Sequence, residues 1–427
     1  MISKLKTKTY KRLLSNFFSL SMMQMVSYIL PLLTIPYLVR VLGVEKFGLV
    51  AFAQAMIQYF IIFSDYGFGL SATKQVAEFR DNKSKLNEIF SSVLFIKVLM
   101  VFISFIILTV IIFSINKFTQ EWQLYYLTFG IVIGQALFPI WYFQGIEKMH
   151  ITALINIVPK LVFTISIFIF IKEPEDYIYV PLINSLGFIF SGLVSLWLAF
   201  RIYRVSFFFP TVNNISYQIK EGWHIFLGII GSNFALLNVV FILGLLTNST
   251  VVGYYAAVEK IIRPLSSLVR PVINAIFPHL SNTARKNHFD SYNLSKKISF
   301  IVATIMFFVG VILFIFSDEI VLLVFGEQFL ASSTVLKIMA FIPMINALLH
   351  IFIVPNMILF NLKRIYSKII LYSFFLSILF SILLIKVFSV NGAAITTLLI
   401  DLFISISMYL YLIKYISSKG RNVGKKV

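Results

Sequence analysis

The sequence predicts an all-α integral membrane protein with twelve transmembrane helices. Apolar residues make up 59% of the 427 residues and charged residues only 12%, and the mean hydropathy is +0.93. A soluble domain of this length could not bury so much apolar surface in one core. The apolar residues also form uninterrupted runs, such as 300–316. They lack the alternation that is typical of a membrane β-strand.

Twelve apolar segments follow one another along the chain, separated by short polar stretches. A bilayer core of roughly 30 Å requires about 20 residues of helix, and each segment is of that order. The first is predicted to be a retained helix, because its apolar run is too long for a signal peptide and no small-residue cleavage site follows it. The predicted helices are 15–39, 48–66, 89–114, 123–143, 151–171, 178–200, 223–247, 253–278, 298–316, 334–360, 368–386 and 391–413.

Lysine and arginine are distributed unevenly between the two ends of these segments. With both termini in the cytoplasm, 25 of the 36 basic residues lie on the cytoplasmic side, 5 lie on the opposite side, and 6 fall within segments. Such a bias over short loops sets the orientation of membrane helices. We therefore expect a multi-pass protein of the cell inner (cytoplasmic) membrane. The net charge of +19 follows mostly from this rule and requires no nucleic acid as a partner.

Several kinds of chemistry are excluded by the composition and by the loop lengths. The chain contains no cysteine, which removes disulfides, thiol catalysis and thiolate metal sites. No loop exceeds about 22 residues, so a soluble catalytic or nucleotide-binding domain has no place. Neither a phosphate-binding glycine loop nor a His-Glu-x-x-His motif occurs. We expect no catalytic residues, no metal site, no cofactor and no coupling to ATP within the chain.

The chain divides into two halves at its longest basic connection. We predict an N-terminal lobe of six helices over 1–200, a cytoplasmic linker over 201–222, and a C-terminal lobe of six helices with a basic tail over 223–427. The stretches 47–51 and 252–256 share an apolar–Gly–x–apolar–Ala step near the start of each half. Six spans return the chain to the same side, so the repeats would be parallel. Such pairs of lobes are typical of transporters.

Four charged residues lie in the eighth segment. They are Glu259, Lys260, Arg263 and Arg270. At 100° per residue, Glu259, Arg263 and Arg270 share one face of a straight helix. An ionisable residue at bilayer depth costs about 2.5–3.5 kcal/mol and marks a functional site by default. One interpretation is a cationic lining that attracts a diphosphate, for which arginine is a bidentate donor. The other is that Glu259 and Arg263 neutralise each other at i and i+4.

Three prolines also follow one another in this segment at intervals of seven residues. Pro264, Pro271 and Pro278 each remove a backbone donor and loosen the preceding turn. The spacing predicts a bent helix. A bend would help a transporter to move, although proline is also simply common in membrane helices.

Four further charged residues lie within other segments. Asp65 and Lys97 have a similar predicted depth, so they either pair or act separately on a coupling cation and on phosphate. Lys160 and Asp401 lie near the midplane. Lys160 would extend the cationic lining. Asp401 is the candidate for proton or Na⁺ coupling, because a buried carboxyl group can exchange a proton.

Several short motifs resemble a known family of membrane proteins. The motifs extend over essentially the full length and are the stretches 40–48, 59–60, 65–68, 73–74, 80–81, 139–149, 325–326 and 391–394. The Trp-Tyr-Phe-Gln-Gly-Ile-Glu stretch at 141–147 is the most family-specific. In this order the motifs resemble those of the Wzx (RfbX-type) O-antigen flippases of the polysaccharide transporter family, which are related to MurJ and to the MATE multidrug exporters.

The resemblance implies a fold and a cargo that hydropathy alone does not. It implies two six-helix lobes around a central cavity that opens alternately to each side. The implied cargo is an oligosaccharide on undecaprenyl diphosphate, passed from the cytoplasmic to the periplasmic leaflet. The other implied partners are membrane lipids, a coupling proton or Na⁺, and polysaccharide polymerase machinery.

Two other functions are compatible with twelve apolar helices. A cation-coupled exporter of small molecules or drugs would favour an acidic cavity for cationic cargo, whereas the eighth segment is net positive. An integral-membrane polysaccharide polymerase or glycosyltransferase would need a large loop with catalytic residues. The longest outside stretch, 317–333, is mostly apolar and is predicted to be a partly inserted elbow.

Overall fold

The computed structural model describes residues 2–423, and within them the side chains outside 2–29, 31–32, 229–237 and 417–423. Helices joined by short connections account for nearly all of this range, and no strand occurs in it. The helices are α1 (Ile2–Asp65), α2 (Phe68–Glu78), α3 (Lys83–Ser114), α4 (Asn116–Thr119), α5 (Trp122–Leu137), α6 (Ile140–Gly145), α7 (Met149–Phe170), α8 (Tyr179–Trp197), α9 (Val212–Leu246), α10 (Ser249–Ser267), α11 (Val269–Lys286), α12 (His288–Ile315), α13 (Ser317–Phe325), α14 (Ser333–Met339), α15 (Ile342–Ala347), α16 (Val354–Leu359) and α17 (Lys363–Val423).

The predicted all-α membrane class is confirmed by these helices. Among the described residues, eight helical stretches are long and apolar enough to cross a membrane. Two of them, Leu33–Glu78 and Lys363–Ile416, span 46 and 54 residues, and about 20 residues suffice for one crossing. The backbone breaks within them at Gly43 (φ 69°, ψ 177°) and Ser389 (φ 51°, ψ −126°), at the predicted junctions between adjacent segments. Counting these two stretches twice gives ten crossings. The seventh and eighth predicted segments are not among the eight stretches but lie in α9 and in α10 with α11, so the described helices are consistent with twelve crossings.

The chain forms two compact units, Met1–Ile230 and Gly231–Val427. The boundary between them lies inside α9, which begins at Val212, before the apolar run that starts at 223. Polar residues at the start of α9 continue the helix beyond the membrane-length segment. The predicted division into two six-helix lobes with a linker over 201–222 stays a prediction.

In the N-terminal unit, small residues bring α5 and α8 into close contact. A side chain at Gly130 would collide with Ser185, and one at Gly134 would collide with the backbone at Phe188. Gly192 approaches Leu137 in the same way. Without a hydrophobic driving force between helices in lipid, such close packing is a main source of association. The α5–α8 contact is therefore expected to tolerate no larger side chain at Gly134.

The first part of α9 is attached to α1 and α2 by packing and by a pair of amides. Gly67, with φ at 79°, forms the turn after α1 and leaves room for the α9 backbone at Phe226. The Tyr66 and Phe226 rings stack with their centroids 4.6 Å apart. Gln75 Nε2 donates to Gln218 Oε1 at 3.0 Å, and Gln218 Nε2 donates to Gln75 Oε1 at 2.8 Å. Both amides are buried, so each satisfies the other.

In the C-terminal unit, α10, α15 and α17 pack against one another, and α12 packs on α15. Ala347 and Ile351 lie in a core with Val269, Ala303 and Met306. The polar residues of α10, α15 and α17 face this three-helix contact. The unit thereby places side chains of three distant sequence segments in one neighbourhood.

Candidate functional site

A stripe of polar residues runs along α10. Tyr255, Glu259 and Arg263 follow at intervals of four residues, so their side chains share one face. Arg263 Nη2 lies 2.6 Å from Glu259 Oε1. The Glu259 side chain is 14% exposed, whereas the Arg263 side chain is 51% exposed. The expected neutralising pair thus forms, and its arginine also remains accessible.

The other two predicted cations of this segment are placed differently. Lys260 is half-buried next to the pair. Arg270 is exposed and lies in α11, because the helix ends at Ser267 and resumes at Val269. Pro264 lies one turn before this interruption, where a proline weakens the helix. Arg270 therefore does not continue the stripe along one uninterrupted helix.

Asp401 lies in α17, close to this stripe, and is 6% exposed. Asn346 Nδ2 of α15 is 3.4 Å from Asp401 Oδ2 and 3.4 Å from Ser266 Oγ of α10. The charge of Arg263 also acts on Asp401. The structure thus brings Glu259, Arg263 and Asp401 together, with a neutral amide as a donor to the buried carboxyl group.

Four polar residues of this cluster were not predicted from the sequence. Asn346 and Ser266 contact each other beside Asp401, and Tyr255 OH lies 2.7 Å from Thr397 Oγ1. The available signal was spacing, since Thr397 precedes Asp401 by four residues as Tyr255 precedes Glu259. Nothing in the sequence pairs α15 with either helix. We call this set the C-unit polar cluster, which consists of Tyr255, Glu259, Arg263, Ser266, Asn346, Thr397 and Asp401.

Asp65 and Lys97 form an ion pair in the N-terminal unit, as one of the two predicted alternatives requires. Lys97 Nζ lies 3.0 Å from Asp65 Oδ1 and joins α3 to the end of α1. The Lys97 side chain is only 4% exposed, whereas that of Asp65 is 38% exposed. Desolvation of the ammonium group is therefore offset by a carboxylate that stays accessible.

Lys160 lies half-buried beside a small cavity between α7 and α8. The cavity has a volume of about 20 Å³ and is lined by Asn156, Pro159, Lys160 and Asn184, among others. A volume of this size accepts about one water molecule. This cavity is too small for a sugar or a diphosphate.

The described residues contain no group of three His, Asp or Glu side chains that could hold a metal ion. What the geometry provides is an accessible guanidinium beside a buried carboxylate, and a second, nearly inaccessible carboxyl group that faces a neutral amide. The first can bind an anion, because guanidinium groups recognise phosphate oxygens in a bidentate manner. The second can bind a proton or a small cation.

Comparison with solved structures first defines the class of fold. The MurJ lipid II flippase in an inward closed conformation superposes with a TM-score of 0.75 at 15% identity, covering 94% of this chain and 87% of that one. An inward-facing MATE-family multidrug resistance transporter of the MOP superfamily gives 0.65 at 14% identity, covering 95% and 99%. The fold is therefore that of the MurJ and MATE transporters.

Sequence comparison then gives the family. The family described as polysaccharide biosynthesis protein matches residues 13–284. A relative from Escherichia coli, named for O-antigen transport, is 30% identical over 396 residues, or 93% of this chain and 95% of the relative. The chain belongs to the polysaccharide biosynthesis protein family, and the family resemblance inferred from its motifs is confirmed. It is a membrane transporter rather than an enzyme.

Proposed function

We propose that this transporter is a flippase for undecaprenyl-diphosphate-linked oligosaccharide, an O-antigen or related repeat unit. It moves this cargo from the cytoplasmic to the periplasmic leaflet by alternating access, coupled to a proton or Na⁺. The family, the name of the Escherichia coli relative and the MurJ-like fold support the proposal. A charged and glycosylated headgroup cannot cross the hydrocarbon core unaided, since each polar group would lose its hydration.

The observation that carries the proposal is the accessibility of Arg263. Its side chain is 51% exposed although it lies within the eighth predicted membrane segment. A guanidinium group that faced acyl chains would be costly, so we infer that its exposed part faces a polar space. Its pairing with Glu259 uses one side of the planar fork and leaves other N–H donors for phosphate oxygens. Lys260 and Arg270 would add positive charge to the same cargo path.

Ion coupling is assigned to the carboxyl groups within the spans. Asp401 is nearly inaccessible and receives its hydrogen bond from a neutral amide. Binding a proton or Na⁺ would neutralise a carboxylate in a region of low dielectric. Asp65 is the second candidate, because its carboxylate stays accessible while it holds Lys97. Lys97 itself then positions Asp65 and does not bind phosphate.

The test uses proteoliposomes that contain undecaprenyl-diphosphate-linked oligosaccharide. Arg263→Ala should lose most translocation, at least about tenfold, because a charge-assisted bond to phosphate is worth about 1.5–3 kcal/mol. Arg263→Lys should retain part of the activity, since lysine binds phosphate without the bidentate geometry. Lys172→Gln, which lies outside the C-unit polar cluster, serves as the matched control, and this variant should translocate the lipid like the wild type.

A double substitution separates the phosphate role from simple charge pairing. If Arg263 only neutralises Glu259, then Glu259→Gln together with Arg263→Gln should restore the activity that either single change loses. Rescue of that kind, at equal protein abundance, would exclude Arg263 as a phosphate ligand. Absence of rescue supports the proposal, because the cargo then lacks its cation even when the pair is neutral.

The proposed location is the inner membrane with both termini in the cytoplasm. Because the chain has no cysteine, a single introduced cysteine is the only thiol that a reagent can label. Lys286→Cys should be protected from a membrane-impermeant maleimide in intact cells, whereas Asn248→Cys and Glu327→Cys should react. Protection at Asn248 would contradict the orientation.

A further inference from the structure

A polar cleft with an aromatic rim lies in the N-terminal unit, away from the charged residues discussed above. It is formed by the first turns of α3 and by the connection from α8 to α9. Its volume is about 160 Å³, roughly eight times that of the cavity beside Lys160, which is enough for several waters or one small ring-shaped molecule. We call it the linker cleft, and its lining is Ser84, Glu88, Ser91, Ser92, Phe208, Phe209, Pro210, Thr211 and Asn214.

The rim of the linker cleft is held in place by side chains of α3. The backbone N–H of Ser206 donates to Asn87 Oδ1 at 3.1 Å, and that of Phe208 donates to Ser91 Oγ at 3.0 Å. Asn87 and Ser91 are 8% and 2% exposed. Thr211 Oγ1 accepts the backbone N–H of Asn214 at 3.3 Å and so begins α9. The connection is thereby fixed at both sides of the cleft.

The lining of the linker cleft combines two kinds of surface. Glu88, Ser84 and Asn214 offer carboxylate, hydroxyl and amide groups. Glu88 also pairs with Lys85 at 2.9 Å, which leaves it further acceptor sites, since a carboxylate accepts several hydrogen bonds. The aromatic part of the lining is Phe208 and Phe209, which are 60% and 85% exposed. Exposed rings of this size rarely serve packing within the chain.

A sugar ring matches both surfaces. Its hydroxyl groups donate to and accept from carboxylate, amide and hydroxyl side chains. Its face of C–H groups, which are slightly positive, packs on the negative face of an aromatic ring. We propose that the linker cleft binds one sugar ring of the oligosaccharide headgroup before translocation. This inference rests on the proposed function, and it places a sugar subsite at the predicted cytoplasmic side.

The main alternative occupant is the bilayer itself, because Phe207, Phe208 and Phe209 form one aromatic run. Lipid chains fit the cleft poorly. They would bring apolar groups against Glu88 and Asn214 and leave those polar groups without water. Phe207 is the matched control, since it belongs to the same run and is 39% exposed but does not line the cleft. Its ring contacts that of Phe209 edge-on, with the centroids 5.8 Å apart, so its removal is expected to act only through Phe209.

The experiment measures binding to the full chain in nanodiscs. The probes are undecaprenyl diphosphate carrying a single glucose, galactose or N-acetylglucosamine, and the same lipid without sugar. Phe208→Ala with Phe209→Ala should weaken binding of at least one glycosylated lipid about tenfold, as expected for two lost aromatic contacts. Asn214→Ala should act in the same direction. Neither variant should change binding of the sugar-free lipid. Phe207→Ala should leave that binding unchanged as well, and it should weaken binding of the glycosylated lipid less than the double change does.

The outcomes separate this inference from the function on which it rests. Equal weakening for glycosylated and sugar-free lipids, or an equal effect of Phe207→Ala, would assign the aromatic run to the bilayer and overturn the sugar subsite. Unchanged binding in all variants would overturn it as well. If the wild type binds none of the lipids, the proposed function itself fails. Melting curves that match the wild type confirm that the substitutions at these exposed positions leave the fold intact.

Discussion

Each unit contains an ion pair within a predicted membrane segment, and the two pairs differ in which member, the acid or the base, is accessible. In the N-terminal unit the cation Lys97 is 4% exposed and its partner Asp65 is 38% exposed. In the C-terminal unit the carboxylate Glu259 is 14% exposed and its partner Arg263 is 51% exposed. The distances are similar, at 3.0 and 2.6 Å. The two pairs differ in the sign of the accessible charge, which is the charge that a ligand can contact.

Under the proposed function, this difference would give each pair a separate task. An accessible carboxylate held by a buried ammonium group is suited to a small cation. An accessible guanidinium group held by a buried carboxylate is suited to an anion such as a diphosphate. Charge pairing lowers the cost of keeping either group within the membrane. One transporter can thus carry both a cation site and an anion site without a net charge at either pair.

The largest expected effect is loss of ion-driven transport when a carboxyl group within a span is neutralised. Asp401→Asn should abolish the dependence of translocation on a proton or Na⁺ gradient, and Asp65→Asn should do the same if the accessible carboxylate binds the cation. The measurement is flipping in proteoliposomes with imposed gradients. Asp318→Asn, at a carboxylate outside the candidate spans, is the control. Wild-type coupling in both variants would remove Asp65 and Asp401 from the coupling mechanism.

A smaller effect is expected on stability, and it should be asymmetric within each pair. Removing the accessible member leaves a buried charge without compensation, whereas removing the buried member leaves a charge that can still be solvated. Loss of one partner from a fully buried pair costs about 3–5 kcal/mol, and we expect about half of that because one member of each pair is accessible. Asp65→Asn should therefore lower the melting temperature more than Lys97→Met.

The same asymmetry should hold in the C-terminal unit with the signs exchanged. Arg263→Gln should destabilise more than Glu259→Gln when both are melted in the same detergent. Equal losses for the two members of a pair would mean that the difference in exposure has no energetic consequence. That result would break the comparison on which the two tasks rest.

The smallest effect is expected at the pair between Asp318 and Lys337, in which both side chains are substantially exposed. Lys337 Nζ lies 3.0 Å from Asp318 Oδ2. Hydrogen bonds from Ser333 and then from Lys337 lower the pKa of Asp318. Because the folded-state pKa is lowered, the stabilisation is present above the ordinary carboxyl pKa of about 4. It is lost as the pH falls through the lower folded value.

Melting curves of the wild type and of Asp318→Asn between pH 7 and pH 3 check this expectation. The two proteins should differ slightly at neutral pH and converge in acid, because the pair contributes only while the carboxylate is charged. A difference in melting temperature that grows as the pH falls would contradict the expected direction of the pH dependence. A large difference at neutral pH would mean that exposed pairs stabilise this protein as much as buried ones.

The sequence predicted the parts of this structure that depend on local spacing or on hydropathy. The Glu259–Arg263 pair follows from the i, i+4 geometry of one helix, and the breaks at Gly43 and Ser389 fall between adjacent apolar segments. The Asp65–Lys97 pair could be anticipated as one of two options from equal depth. The exposed fraction of each member of these pairs could not be predicted, because it depends on how neighbouring helices pack. The approach of Asn346 to Asp401 was unpredictable for the same reason.

The start of α9 shows a second limit of hydropathy. The apolar run begins at 223, but the helix begins at Val212, because polar residues continue a helix as well as apolar ones outside the membrane. A hydropathy profile therefore locates the buried part of a helix and not its end. The linker cleft was missed for this reason, since its lining comes from residues on both sides of that helix start.

The amide pair between Gln75 and Gln218 has a consequence for how this part of the N-terminal unit responds to its surroundings. Neither side chain titrates, and each amide supplies the donor and the acceptor that the other requires. Hydrogen bonds between two neutral amides are not weakened by salt, since salt screens interactions between charges. Lipid phosphates also leave this contact unchanged, because they bind to lysine and arginine side chains and not to a neutral amide pair. The start of α9 is thus held by hydrogen bonds for which neither lipid headgroups nor a charged cargo compete strongly.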